Sequence, residues 1–267
     1  MTPFFDTHAH LDYPDFADDL PQIIERAKAA GIEKLVSIAT NLESSRKVIR
    51  IAEAFDNVFA VVGCHPSDAA EAPADIRSEL RQLARHPKVV ALGETGLDYY
   101  RLPGKQPGGS AGQDGPYKAR QAELFQQHLE IAAELGLNCV IHQRDSFEDT
   151  VAMFEPFAAT VRGVFHCFAG DATAMRRILD LGSLVSFTGI LTFKNAGSVR
   201  ETLAATPMNA FMLETDSPFL APVPYRGKRC EPAYVREISV VAAQVKNCAL
   251  EDLSAATCAT ARAFFKK

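Results

Sequence analysis

Two histidines one residue apart, His8 and His10, close the apolar opening Pro3-Phe4-Phe5, and Glu94, His142, His166 and Asp216 follow at long intervals. Imidazoles and carboxylates are ligands for divalent cations. On an extended strand, residues two apart share a face and lie about 6.6 Å apart, so His8 and His10 can reach one ion while Ala9 faces away. An HxH pair also occurs in solvated loops, so the reading depends on where the other four residues fall.

Strand-like apolar runs alternate with helix-like periodic runs along the chain, and Gly31, Gly136 and Gly182 each stand between a helical run and the next strand. Glycine past a helix end adopts the left-handed conformation cheaply. Counting from Phe4, the strand runs are 4–10, 34–39, 58–63, 89–94, 138–142, 163–166, 183–187 and 210–214. Eight buried strands separated by helices predict an α/β fold, a (β/α)8 TIM barrel spanning 1–267 as one domain. His8 and His10, Glu94, His142, His166 and Asp216 then fall at the carboxyl ends of strands one, four, five, six and eight. In a barrel those ends converge on one face.

A lone histidine at a strand end is usually a hydrogen-bonded structural residue, and a lone acid there commonly caps the next helix. Six such residues at one rim are different. Burying four imidazoles and two carboxylates together demands a partner for each, and the carboxylates repel unless positive charge separates them. Two divalent ions satisfy all six.

Apolar residues at 47% are ample for a core, and 23% charged residues argue against disorder. The net charge of −5 excludes holding nucleic acid by general phosphate attraction, so a nucleic-acid partner would be transient and met by a local basic patch and metal. No run reaches the ~20 apolar residues of a membrane helix, and the N-terminus enters the first strand directly. The expectation is a cytoplasmic protein without membrane contact. Six cysteines without a CxxC pair read as reduced thiols.

The motifs DTHAHLD at 6–12, GCHP at 63–66, GETGLDYY at 93–100, IHQRD at 141–145, FHCFAG at 165–170, and ETDSPFLAP with RGKRCEP at 214–232 resemble the TatD-type metal-dependent hydrolases, within the amidohydrolase-like barrels. The resemblance spans the chain. It implies that His8, His10, Glu94 and Asp216 hold one ion, that Glu94, His142 and His166 hold a second, and that Glu94 bridges. It further implies DNA or RNA ends as substrate, cleaved as a 3′-5′ exonuclease. Gln143 stands where serine or threonine is more usual, and Cys230 where asparagine is common.

His65 ends strand three, where the family's matching histidine lies near substrate or an additional metal position. Arg144, and Arg226 and Arg229 with Lys228 in the loop after strand eight, are candidate phosphate contacts, since guanidinium matches phosphate bidentately. His86 reads as solvent-facing and His128 as a helix residue, neither a ligand. Cys64 and Cys167 neighbour site histidines, and strand alternation turns both thiols toward the helical layer. The segment 102–116, with five glycines and three prolines, reads as a flexible rim loop that buries no core.

These residues suit metal-assisted phosphodiester hydrolysis, with Zn, Mn or Mg, Asp216 as general base and Glu94 as bridge. Two other readings remain open. Lewis-acid activation of water does not itself choose phosphorus over carbon, so the rim could hydrolyse an ester or amide such as an aminoacyl-tRNA linkage. A non-catalytic barrel acting as a scaffold is the other, and it would not bind metal.

Overall fold

The computed structural model describes residues 1–267 and shows eight parallel strands, each paired with its sequence neighbours. They are β1 (Phe4–Ala9), β2 (Ile32–Ile38), β3 (Val58–Val62), β4 (Val89–Asp98), β5 (Cys139–Arg144), β6 (Gly163–Phe165), β7 (Leu184–Phe187) and β8 (Phe211–Leu213). A parallel bridge between Ala9 and Ser217, with the His10 amide on the Ser217 carbonyl at 2.8 Å, joins the last crossing to the first. Helices alternate with the strands. This is the expected TIM barrel.

Alternation along each strand sorts the core into two layers. Val36, Val61, Val140, Val164, Leu184 and Met212 form an inner cluster with Cys258, Ala261, Phe264 and Phe265 of the terminal helix Leu250–Phe265. Their strand neighbours, such as Leu35, Ala60 and Phe165, join the helices in a larger outer cluster. Asn138 Nδ2 donates to the Phe264 carbonyl at 2.5 Å, which holds the terminal helix at the start of β5. That helix plugs the amino-terminal end of the barrel, leaving the opposite end open for chemistry.

The strand β4 runs four residues beyond the expected 89–94, and its glycines explain how. At Gly93 (φ 142°) an added Cβ would stand 2.6 Å from the Val140 carbonyl oxygen, and at Gly96 (φ 135°) 2.0 Å from that of His142. Only glycine allows so close an approach to β5. The β4–β5 register slips between Leu92 and Thr95, which carries Glu94 over the barrel mouth.

The segment 102–116 departs from expectation. Leu102 is buried, short helical turns form at Pro103–Lys105 and Ala111–Gln113, and the Gly104 amide donates to Asp114 Oδ1 at 2.7 Å. Asp114 already begins the helix Asp114–Leu135. The glycines close tight turns here, while one leucine anchors the entry.

Candidate metal centre

At the open end, β1 brings His8 and His10 to the mouth and the turn after β8 brings Asp216. The Asp216 amide donates to the His8 carbonyl at 2.9 Å, and its φ of 55° turns the chain inward. His8 Nε2 lies 3.4 Å from Glu94 Oε2 and 3.6 Å from Asp216 Oδ1; the matching distances from His10 Nε2 are 3.6 and 3.4 Å. Ligand atoms ~2.1 Å from one tetrahedral ion stand about 3.4 Å apart, so this quartet has the span of a cation site.

The other oxygen of Glu94 serves a second group. Oε1 is 2.8 Å from His142 Nδ1, 2.7 Å from His166 Nε2 and 3.3 Å from His65 Nε2. His65 Nε2 and His142 Nδ1 are themselves 3.2 Å apart. Three overlapping trios in these two groups have ligand atoms close enough to share an ion.

Polar groups stand behind three of the rings, and only the one behind His10 is in hydrogen-bonding geometry. His10 Nδ1 lies 3.0 Å from the Ile38 carbonyl oxygen, His142 Nε2 3.3 Å from Asp98 Oδ2, off the N–H direction, and His166 Nδ1 3.5 Å from Glu214 Oε1. A carboxylate or carbonyl behind an imidazole sets its tautomer and strengthens the opposite nitrogen as a donor to metal. Glu214 also accepts the Cys167 amide at 2.7 Å. Asp6 accepts the Thr215 amide at 2.9 Å and its hydroxyl at 2.5 Å, which pins the residue before Asp216.

Both nitrogens of buried His8 lack a hydrogen-bond partner. An imidazole is tolerated there if a cation completes it. Burial holds the His8 pKa below its ordinary value, keeping the ring neutral as ligation requires. Burial alone would raise the Glu94 carboxyl, but the neighbouring imidazoles of His166 and His65 and the hydrogen bond from His142 hold it well below the usual range. For Asp216, burial is likewise outweighed, chiefly by the His10 hydrogen bond and by electrostatic attraction to the His166 and His10 imidazoles. Both stay carboxylates at neutral pH. The donor set therefore fits divalent metal.

The centre floors a cavity of 690 Å³. Glu94 and Asp216 both line it, and Asp216, 15% exposed at its side chain against 3% for Glu94, is the more open of the two. His65 lines the cavity, as does Arg144, whose guanidinium stacks 3.7 Å from the exposed Tyr100 ring.

Other expected residues lie elsewhere. Arg229 does not face the cavity: it pairs with Asp19 at 2.8 Å and Glu231 at 3.0 Å, and donates to the Asp15 carbonyl at 2.6 Å. Those two acids consume the guanidinium expected to meet phosphate. Arg226 stacks on Phe193 at 3.7 Å, and Lys228 is exposed; neither lines the cavity. Cys64 is buried in the outer core as expected, its thiol pushed up to about 12 by burial. Cys167 is not: β6 ends at Phe165, Cys167 takes φ 48°, and alternation fails, so the residue lines the cavity with Sγ 3.8 Å from Thr188 Oγ1. His128 is a core residue, Nε2 accepting the Cys64 amide at 3.0 Å, and His86 Nε2 pairs with Glu53 at 3.1 Å.

Asp98 escaped the sequence reading although its signal was present. It stands four residues beyond Glu94 on the same strand and so shares its face. Arg101, Tyr13 and Phe219 also line the cavity, and they sit in irregular segments where alternation gives no direction.

Comparison with known proteins agrees with this geometry. The family model described as TatD related DNase matches residues 5–266. The chain belongs to the TatD family. A TatD-family likeness extends to the uncharacterized metal-dependent hydrolase YabD of Bacillus subtilis, 36% identical over 98% of each chain. The 3′-5′ ssDNA/RNA exonuclease TatD of Klebsiella pneumoniae is 32% identical over 98% of this chain and 97% of its own. The crystal structure of YjjV, a TatD homologue from Escherichia coli K12, superposes with a TM-score of 0.89 at 26% identity, covering 99% of this chain and 98% of that one. The protein is thus a TatD-family metal-dependent hydrolase. No helix is long and apolar enough to cross a membrane.

Proposed function

We propose that the protein hydrolyses phosphodiester bonds at single-stranded DNA ends, with RNA ends as further substrates, removing nucleotides 3′ to 5′ at a centre of two divalent ions. The observation that carries this reading is the division of Glu94. Oε2 faces His8 and His10 at 3.4 and 3.6 Å, and Oε1 faces His142 and His166 at 2.8 and 2.7 Å. One carboxylate between two donor groups suits a bridge. His8, His10 and Asp216 would complete the first site, and His142 and His166 the second. A pair of Zn, Mn or Mg ions there would acidify water and neutralise phosphoryl charge during in-line attack.

The protein's own groups divide the remaining work. Asp216, an ionised carboxylate open to the cavity, accepts the proton of the attacking water. Arg144 and Arg101 line the cavity without a carboxylate within ion-pair distance and are free to take phosphate oxygens. Tyr100 holds the Arg144 guanidinium flat by stacking. His65, 12% exposed at its side chain, stands between the second donor group and the cavity, where it meets substrate. The name of the Klebsiella relative supports a nucleic-acid substrate. The chain acts as one catalytic domain, and its six unpaired cysteines suit the cytoplasm.

Metal-loaded protein incubated with end-labelled single-stranded DNA should shorten it, chelation should stop the reaction, and Asp216→Asn should slow it by at least about 100-fold. Cleavage of aminoacylated RNA with intact DNA would replace the nuclease reading by ester hydrolysis.

A further inference from the structure

Two aromatic residues occupy equivalent places beside the centre. Tyr13 follows His10 by three residues and Phe219 follows Asp216 by three, and each amide donates to the carbonyl of that residue, at 3.2 and 2.9 Å. Turns starting at two proposed ligands thus deliver two rings to one corner of the cavity. The rings meet with centroids 5.8 Å apart at 84°, edge to face. Tyr13 leans on His10 at 4.8 Å and 25°, and the Phe219 centroid is 6.3 Å from that of His10.

Phe219 is 49% exposed, one of five large apolar residues in the chain exposed to 42% or more. A scattered surface phenylalanine needs no explanation. This one is different, because its backbone is tied to Asp216 and its ring lines a cavity that Arg101 and Arg144 also line. An aromatic face beside guanidinium groups is the combination that binds single-stranded nucleic acid without regard to sequence, since every base has a π-face.

We propose that Phe219, braced by Tyr13, is a stacking platform for the base of the nucleotide at the scissile phosphodiester. The platform senses whether a base is present and does not discriminate which base. This inference rests on the nuclease reading above. It adds a specificity-determining residue that touches no metal-binding side chain through a charge or hydrogen bond.

The test uses metal-loaded protein and two single-stranded oligonucleotides with a phosphorothioate at the terminal linkage to suppress cleavage. One ends in 2-aminopurine at its 3′ nucleotide and the other in an abasic residue. Stacking should quench the 2-aminopurine fluorescence on binding, and the abasic strand should bind about 10-fold more weakly. Phe219→Leu, which keeps apolar bulk without a π-face, should lose the quench and weaken the normal strand about 10-fold while leaving the abasic strand unchanged; Phe219→Trp should retain tight binding. Equal affinity of the wild-type protein for both strands overturns the platform, and needs no variant to fold. Unaltered quenching in Phe219→Leu overturns it as well. If unmodified oligonucleotides are neither bound nor cleaved, the nuclease reading falls and takes the platform with it; if they are cleaved but base and abasic ends bind alike, only the platform falls.

Discussion

Asp98 stands behind His142, its Oδ2 3.3 Å from Nε2, while Nδ1 across the ring faces Glu94 Oε1 at 2.8 Å. A carboxylate behind an imidazole strengthens the opposite nitrogen as a metal donor, and Asp98 is placed to act on His142 in this way.

Asp98→Asn keeps the shape and removes the charge. It should weaken binding of the second divalent ion by about 10- to 100-fold and leave the first within a few-fold. Competition against a chromogenic chelator resolves the two affinities. Equal weakening of both sites, or of neither, would show that Asp98 supports the strand and not the ligand.

Buried His128 makes stability depend on pH. It is neutral in the core, with Nδ1 2.7 Å from the Leu124 carbonyl oxygen and Nε2 accepting the Cys64 amide, and burial lowers its pKa to about 4. Between its unfolded value of about 6.5 and that folded value, the unfolded chain binds the extra proton, so stability falls as the pH drops through this window. The contribution is full above pH ~6.5 and reaches about 3 kcal/mol. His128→Gln, which does not titrate, should be less stable at neutral pH but lose less on acidification. Urea unfolding of both proteins across the window, with metal held constant, checks this; parallel curves would remove His128 as the cause.

Arg229 belongs to the architecture. Its bonds to Asp19, Glu231 and the Asp15 carbonyl tie the loop after β8 to the segment after β1, across a sequence separation of 210 residues for Asp19. Arg229→Ala should lower the melting temperature by a few degrees and leave the salt dependence of DNA binding as it was. A slope of log affinity against log salt reduced by roughly 0.7 would return Arg229 to the phosphate.

The barrel and the six candidate ligands could be read from residue order, because strand alternation and the carboxyl-end rule both act on local pattern. His8 and His10 flank Ala9, and Ala9 does join the outer core while both rings face the mouth. That logic broke where strands ended early. Cys167 follows a strand of three residues and turns inward through a left-handed conformation, reversing the direction assigned to it. Arg229 was misplaced for another reason: its partners Asp19 and Glu231 are set by tertiary packing, and a basic run in sequence does not show which charges are already neutralised. Leu102 makes the same point for the glycine-rich segment, where one apolar residue is enough to anchor a turn.

Metal stoichiometry of Glu94→Ala tests the bridging account most directly. The wild-type protein, loaded and dialysed, should hold two divalent ions per chain by elemental analysis. His142→Ala should retain about one, whereas Glu94→Ala should lose affinity at both sites together, because each site takes a different oxygen of the same carboxylate. Two ions retained in a folded Glu94→Ala protein, or one retained at wild-type affinity, would contradict a shared carboxylate and with it the dinuclear centre.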